Sequence, residues 1–138
     1  LPKKIILKGK AIIKGKASGY ALVSHEPVSF LGMVNIETGT FDYPGHELEN
    51  EHIKDRIIVY PHGRGSSGDS FRMLHLSMTN NAPAGILFDE PEPIHVQGAM
   101  LLNIPTLTHF SKNICDIVNN GDFITIDNDT VEIIKTQS

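Results

Sequence analysis

A chain of 138 residues, 40% hydrophobic and 20% charged, is expected to form one domain across residues 1–138, large enough to bury a core and too small for a multidomain enzyme. A formal net charge of −4 argues against general nucleic-acid binding, which leaves a basic stripe, and no run approaches the roughly 18–20 consecutive apolar residues that cross a bilayer. Cys115 is the single cysteine, which excludes an internal disulfide and a multi-cysteine iron–sulfur or zinc site built from this chain alone.

The first residues carry no signal-peptide pattern, so a cytoplasmic address is expected. Residues 4 to 36 read as β, with short apolar or alternating runs at Ile5-Ile6-Leu7, Ala11-Ile12-Ile13, Tyr20-Ala21-Leu22-Val23 and Val28-Ser29-Phe30-Leu31, separated by Gly9, Gly15, Gly19 and Pro27. Lys3, Lys4, Lys8, Lys10, Lys14 and Lys16 fall in the same segment, where lysines solvate a face or protect an edge. A turn at Glu37-Thr38-Gly39-Thr40 and a polar stretch from Pro44 to Lys54 form a connection.

Arg56-Ile57-Ile58-Val59-Tyr60 is the clearest strand, and its β-branched run predicts burial on both faces. A helix is expected from Asp69 or Ser70, either of which can cap it, with Phe71, Leu74 and Met78 as its inner stripe. Ala84-Gly85-Ile86-Leu87-Phe88 reads as another buried strand closed by a Pro-rich turn at Asp89 to Pro93. Then come a short helical or irregular piece from Ile94 to Leu102, a strand near Ile104 to Leu107, and a helix over about 109–119 that stops before Gly121. Phe123-Ile124-Thr125-Ile126 and Val131-Glu132-Ile133-Ile134 form a closing hairpin. Strands first, alternation next and a hairpin last predict a layered α/β domain.

The stretch richest in chemistry is Pro61-His62-Gly63-Arg64-Gly65-Ser66-Ser67-Gly68-Asp69-Ser70-Phe71, between a strand and a helix. Glycines let backbone approach a ligand, helix-start amides attract an anion, and a guanidinium and two hydroxyls add side-chain chemistry. A Walker A loop needs Lys-Ser/Thr after its last glycine, but Ser66 and Ser67 follow Gly65. A nucleophile elbow needs glycines two before and two after its serine; Ser66 has Arg64 two before, and Ser67 has Asp69 two after. The seven histidines form no HxxxH pair or His/carboxylate cluster, so no metal site is expected in this chain. His62 is open to a ligand contact, a proton relay or a local hydrogen bond. Ser66 and Ser67 fit either a turn and N-cap, or an alkoxide that takes a proton from carbon beside a carboxylate, held by helix amides and an arginine. For Cys115 a buried structural thiol is expected.

Gly63-Arg64-Gly65-Ser66-Ser67 resembles the Gly-x-Gly-Ser-Ser loop in the swivel domains of aconitases and isopropylmalate isomerases, where the first serine is the catalytic base. The surrounding sequence is similar to a narrower group, the small subunit or swivel domain of aconitase X. The likeness runs through Gly15-Lys16-Ala17, Gly19-Tyr20-Ala21-Leu22-Val23-Ser24, Pro27-Val28-Ser29-Phe30-Leu31-Gly32, Thr38-Gly39, His46-Glu47-Leu48, Asn81-Ala82-Pro83-Ala84-Gly85-Ile86 and Gln97-Gly98-Ala99. Ordinary aconitases continue the loop with Arg-Glu-His, whereas this chain continues with Gly68-Asp69-Ser70. Their substrate-binding arginine is absent at that position, and Arg64 is the residue available to replace it.

The resemblance implies a swivelling β/β/α domain with a barrel-like β core and two to three helices. It implies a hydro-lyase working with a large subunit, as a heterodimer or dimer of heterodimers, with the iron–sulfur cluster on that partner. Ser66 would be the base, and Gly63, Arg64, Gly65 and Ser67 would bind an anionic small-molecule substrate. Archaeal members act on (R)-5-phosphomevalonate, giving trans-anhydromevalonate 5-phosphate, and bacterial ones on cis-3-hydroxy-L-proline; a Lys-, Ile- and Asn-rich composition favours the former. Competing expectations are a phosphohistidine-carrying swivel domain using His62 and a non-catalytic anion-binding module.

Overall fold

In the computed structural model, which describes residues 3–64 and 68–136, the N-terminal third holds strands β1 (Lys4–Lys8), β2 (Lys10–Ile13) and β3 (Lys16–Val23), then helix α1 (Phe30–Met33) and the small pair β4 (Val34–Asn35) and β5 (Thr40–Phe41). Strand and helix then alternate through β6 (Ile57–Tyr60), α2 (Asp69–Met78), β7 (Gly85–Phe88), α3 (Pro93–Leu102), β8 (Thr106–Thr108) and α4 (Ile114–Ile117). The hairpin of β9 (Phe123–Asp127) and β10 (Thr130–Ile134) ends the order.

Eight strands make one mixed sheet in the order β1-β10-β9-β3-β6-β7-β8-β2. Strands β3, β6, β7 and β8 run parallel, and the flanking pairs are antiparallel. Gly9 alone separates β1 from β2, yet these strands stand first and last in the order. The chain at Gly9 therefore draws the two edges together and nearly closes the sheet into a barrel. A Cβ there would lie 2.6 Å from the Phe110 ring, which leaves glycine as the residue that fits.

Burial follows the two-residue period of the strands. On one face Leu22, Ile58, Tyr60, Ile86 and Phe88 pack with Met73, Leu76 and Ala99 of α2 and α3. On the other, Ala21, Val23, Ile57, Val59 and Leu87 pack with Ile114, Cys115, Ile124, Ile126, Val131 and Ile133. All four residues of β6 and of β7 are buried, as their continuous apolar runs predict. The amino-terminal lysines of β1 to β3 lie at the surface. No helix among the described residues is long and apolar enough to cross a membrane.

Three segments differ from the sequence expectation, and a fourth, left open between helical and irregular, proves helical. Val28 to Leu31 is not a strand: Val28 makes one isolated bridge, to Gly63, and the chain turns into α1 after the N-cap Ser29. In α2 the buried side is Asp69, Ser70, Met73 and Leu76, while Phe71 is 60% and Met78 74% exposed. The expected stripe faces outward because Met73 packs against α3 at Gly98, where a Cβ would meet the Met73 sulfur. Residues 93–102 form a regular helix, since Pro93 opens it and the Glu92 carboxylate accepts from the amides of Ile94 (3.1 Å) and His95 (3.0 Å). The helix expected over 109–119 shrinks to Ile114–Ile117, because His109 takes a left-handed φ of 55° and Val118 is already extended. The helices therefore number four among the described residues, two of ten residues and two of single-turn length.

Candidate active site

Strands β3, β6 and β7 run parallel, so their carboxyl ends open on one side of the sheet, where ligands of such sheets bind. The segments leaving them bring together Ser24 to Ser29, Pro61 to Arg64 and Asp89 to Glu92. Gly65, Ser66 and Ser67 lie outside the described residues, but both stems of their loop are described. On the entry side, Val28 donates its amide to the His62 carbonyl (3.2 Å) and accepts from the Arg64 amide (3.0 Å), which fixes Gly63 beside Val28. The Arg64 side chain is exposed.

On the exit side Gly68 is the N-cap of α2 and brings no side-chain cap. Asp69 and Ser70, the caps expected from sequence, instead sit inside the first turn and are buried. The Asp69 carboxylate turns toward α1. Its Oδ1 accepts from the Ser29 hydroxyl (3.0 Å) and the Leu31 amide (2.7 Å). Its Oδ2 accepts from the Phe30 amide (3.0 Å) and His95 Nε2 (2.6 Å). Four donors thus converge on one carboxylate with no exposed surface. Burial by itself would raise this carboxyl, but the hydrogen bonds from His95, Leu31 and Phe30 outweigh it and hold Asp69 below the usual carboxylate range.

The chain of bonds continues through the imidazole. His95 Nδ1 lies 2.7 Å from the Tyr60 hydroxyl, and Tyr60, His95 and Asp69 are all 0% exposed. Burial, then the charges of Asp69 and Glu92, push the Tyr60 phenol well above its ordinary value, so it stays protonated. The arrangement that satisfies every group has Tyr60 donating to Nδ1 and the Nε2 hydrogen donating to Asp69. The imidazole also rests on Gly63: a Cβ added there would lie 2.5 Å from His95 Cδ2 and Cγ and 2.7 Å from Nδ1.

Among the residues expected at the site, the structure places Gly63 and Arg64 on the entry stem, and Gly65, Ser66 and Ser67 fall outside the described residues. His62 uses Nδ1 to donate to the Gly63 carbonyl (2.8 Å), the local bond that was one of its expected readings. His95 and Tyr60 carry no signal in the sequence, and Asp69 stands out there only as a candidate helix cap. They come from α3, β6 and α2, so no spacing in the sequence joins them. The one local signal was Asp69 directly after the glycine–serine run.

Cys115 is 6% exposed, and burial, then the neighbouring Asp89 carboxylate, push its thiol up, away from thiolate chemistry. Among the described residues no group of three His, Cys, Asp or Glu side chains is placed to hold a metal ion. With Cys115 as its single cysteine, the donor set of this chain does not fit an iron–sulfur cluster, which takes several thiolates. Beside the site, His25 donates from Nδ1 to Glu47 Oε2 (2.8 Å), and its Nε2 lies 3.0 Å from the Cys115 carbonyl. That pair ties the segment after β3 to the 42–50 connection.

Residues 6–135 match the family model of the aconitase X swivel domain. The chain is 36% identical over 133 residues to the phosphomevalonate dehydratase small subunit of Methanosarcina acetivorans, covering 95% of this chain and 92% of that one. It is 41% identical over 103 residues to the protein of the same name from Pyrococcus horikoshii, covering 75% and 77%. The crystal structure of Thermococcus kodakaraensis aconitase X in its holo-form superposes with a TM-score of 0.88 at 33% identity, over 95% of this chain and 99% of that chain.

Proposed function

The chain belongs to the aconitase X swivel-domain family, and from that premise we propose that it is the small subunit of a phosphomevalonate dehydratase. With a large partner subunit it removes water from (R)-5-phosphomevalonate and yields trans-anhydromevalonate 5-phosphate. The observation that carries this reading is the match over nearly the full length to Methanosarcina small subunits of that name, joined to a glycine–serine loop at the carboxyl end of β6.

In the proposed reaction Ser66, as alkoxide, takes the proton from the carbon beside the substrate carboxylate, and the hydroxyl leaves from the next carbon as the double bond forms. Amides at the uncapped start of α2 favour the charged serine and an anionic substrate. Arg64, Ser67 and the backbone at Gly63 and Gly65 orient the carboxylate or phosphate. The departing hydroxyl is the large subunit's to take, and there we place the iron–sulfur cluster that the aconitase relationship suggests. Leu31 and Phe71, which flank the exit stem and stay 42% and 60% exposed, suit the side on which that subunit docks.

The test is co-expression with an aconitase X-type large subunit from the same organism, followed by assay on (R)-5-phosphomevalonate and cis-3-hydroxy-L-proline. The proposal expects dehydration of the first and at most trace turnover of the second. The opposite preference would overturn the substrate assignment.

A further inference from the structure

The serine loop is held at both ends by groups that take no part in the proposed chemistry. Its entry stem is bonded to Val28 on both sides of Gly63. Its exit stem is bonded through Asp69 to the next three residues of the same segment, Ser29, Phe30 and Leu31. Segment 28–31 therefore grips the loop from one side. On the other side a single ring touches both stems: the His95 imidazole lies against Gly63, where even a methyl group would overlap it, and donates to Asp69 at 2.6 Å. Tyr60, at the end of the strand that feeds the loop, fixes the far nitrogen at 2.7 Å.

We propose that His95 is a positioning residue for the dehydration, its imidazole clipping the two stems of the serine loop together and so setting where the base between them stands. The inference rests on the proposed role of Ser66. An ordinary packed side chain would fill this space equally well. What distinguishes His95 is that one nitrogen is committed to the exit stem, the other to the strand leading into the entry stem, and the ring face to the entry stem itself. The Asp69 carboxylate is shared between the two grips, so a change at His95 reaches the whole frame. A catalytic group displaced by about 1 Å loses on the order of 100-fold in rate, and that is the scale expected here.

The experiment uses the complete two-subunit complex, with kcat and KM for (R)-5-phosphomevalonate expressed per assembled complex. Four forms are compared with wild type: His95→Gln, His95→Asn, Ser66→Ala and the Ser66→Ala/His95→Asn double variant. A glutamine amide nitrogen reaches the place of Nε2 and keeps the bond to Asp69, whereas asparagine is too short to reach it. His95→Asn is expected to lower kcat about 100-fold with KM changed less than about threefold, and His95→Gln to recover most of that loss. The double variant is expected to be no slower than Ser66→Ala, because a misplaced base costs nothing once the base is gone. A wild-type kcat in His95→Asn, a loss that glutamine does not recover, or additive losses in the double variant would overturn the clip. Should His95→Asn fail to assemble, Tyr60→Phe decides, since it keeps the ring: a kcat loss of about fivefold supports the clip and an unchanged kcat overturns it. If Ser66→Ala keeps wild-type rate, the base assignment has failed, and the clip falls with it; if Ser66→Ala is slow and His95→Asn is not, only the clip has failed.

Discussion

Replacing Asp69 by asparagine keeps the shape of the side chain and removes one acceptor, so its cost can be worked from the four donors around the carboxylate. An amide has one oxygen, and it can serve either Ser29 and Leu31 or Phe30 and His95. With the oxygen toward Phe30 and His95, the Ser29 hydroxyl can rotate to accept from the new NH2, but the Leu31 amide faces a donor. With the amide flipped, His95 can change tautomer and accept, but the Phe30 amide is stranded. Either way one backbone N–H loses its acceptor, at about 1–3 kcal/mol, and the remaining bonds lose their charge assistance, at about 1 kcal/mol more. The total is roughly 2–4 kcal/mol, which at a urea slope of about 2 kcal/mol/M lowers the midpoint by roughly 1–2 M. Far-UV circular dichroism in urea at neutral pH reads this directly. The pH dependence has a definite sign: the folded carboxyl is held below its ordinary value, so its contribution is present above that ordinary value and is lost as pH falls through the folded one. The gap between wild type and Asp69→Asn should close toward acid pH. A midpoint shift under about 0.3 M at neutral pH would refute the claim that these four bonds hold the frame.

Other perturbations follow from the same geometry. Gly63→Ala puts a methyl group 2.5 Å from the His95 ring and should cost about 1–3 kcal/mol by overpacking; an unchanged urea midpoint would contradict the contact. Glu92→Ala removes the two amide caps of α3 and should cost about 1 kcal/mol in the same assay, so a neutral result would mean the cap is not formed. The hydrogen bond to Glu47 raises the His25 pKa; the pair's stabilisation is then present below the ordinary histidine value and is lost as pH rises through the folded one. Because His25 is largely exposed, the effect on stability should stay within about 1 kcal/mol. An NMR titration should find the His25 midpoint above the ordinary value and lower in Glu47→Gln, and no displacement between the two proteins would refute the pairing.

The parts of the fold written in local periodicity were legible from sequence. Ile57 to Tyr60 and Gly85 to Phe88 are buried on both faces, and a continuous apolar run says so without tertiary information. The closing hairpin was equally plain. Helix α2 was found, but Phe71, Leu74 and Met78 made a tempting stripe at helical spacing, and the side that packs was chosen by a partner helix with a glycine at the contact. Val28 to Leu31 looks like a strand by composition and becomes a turn of helix because a carboxylate 38 to 40 residues away collects its amides. The same long-range capture explains the site: the glycine–serine run announces itself, while Tyr60, Asp69 and His95 carry no common spacing. Only the folded chain brings a strand end, a helix start and a second helix onto one imidazole.

The proposed dehydration depends most on Ser66 as the base, and the most direct measurement is single-turnover dehydration of (R)-5-phosphomevalonate by the two-subunit complex carrying Ser66→Ala. With Ser66 as the base, the complex should assemble and bind substrate with little change, while the rate of proton removal falls by about 100-fold or more. Dehydration at close to the wild-type rate would contradict it.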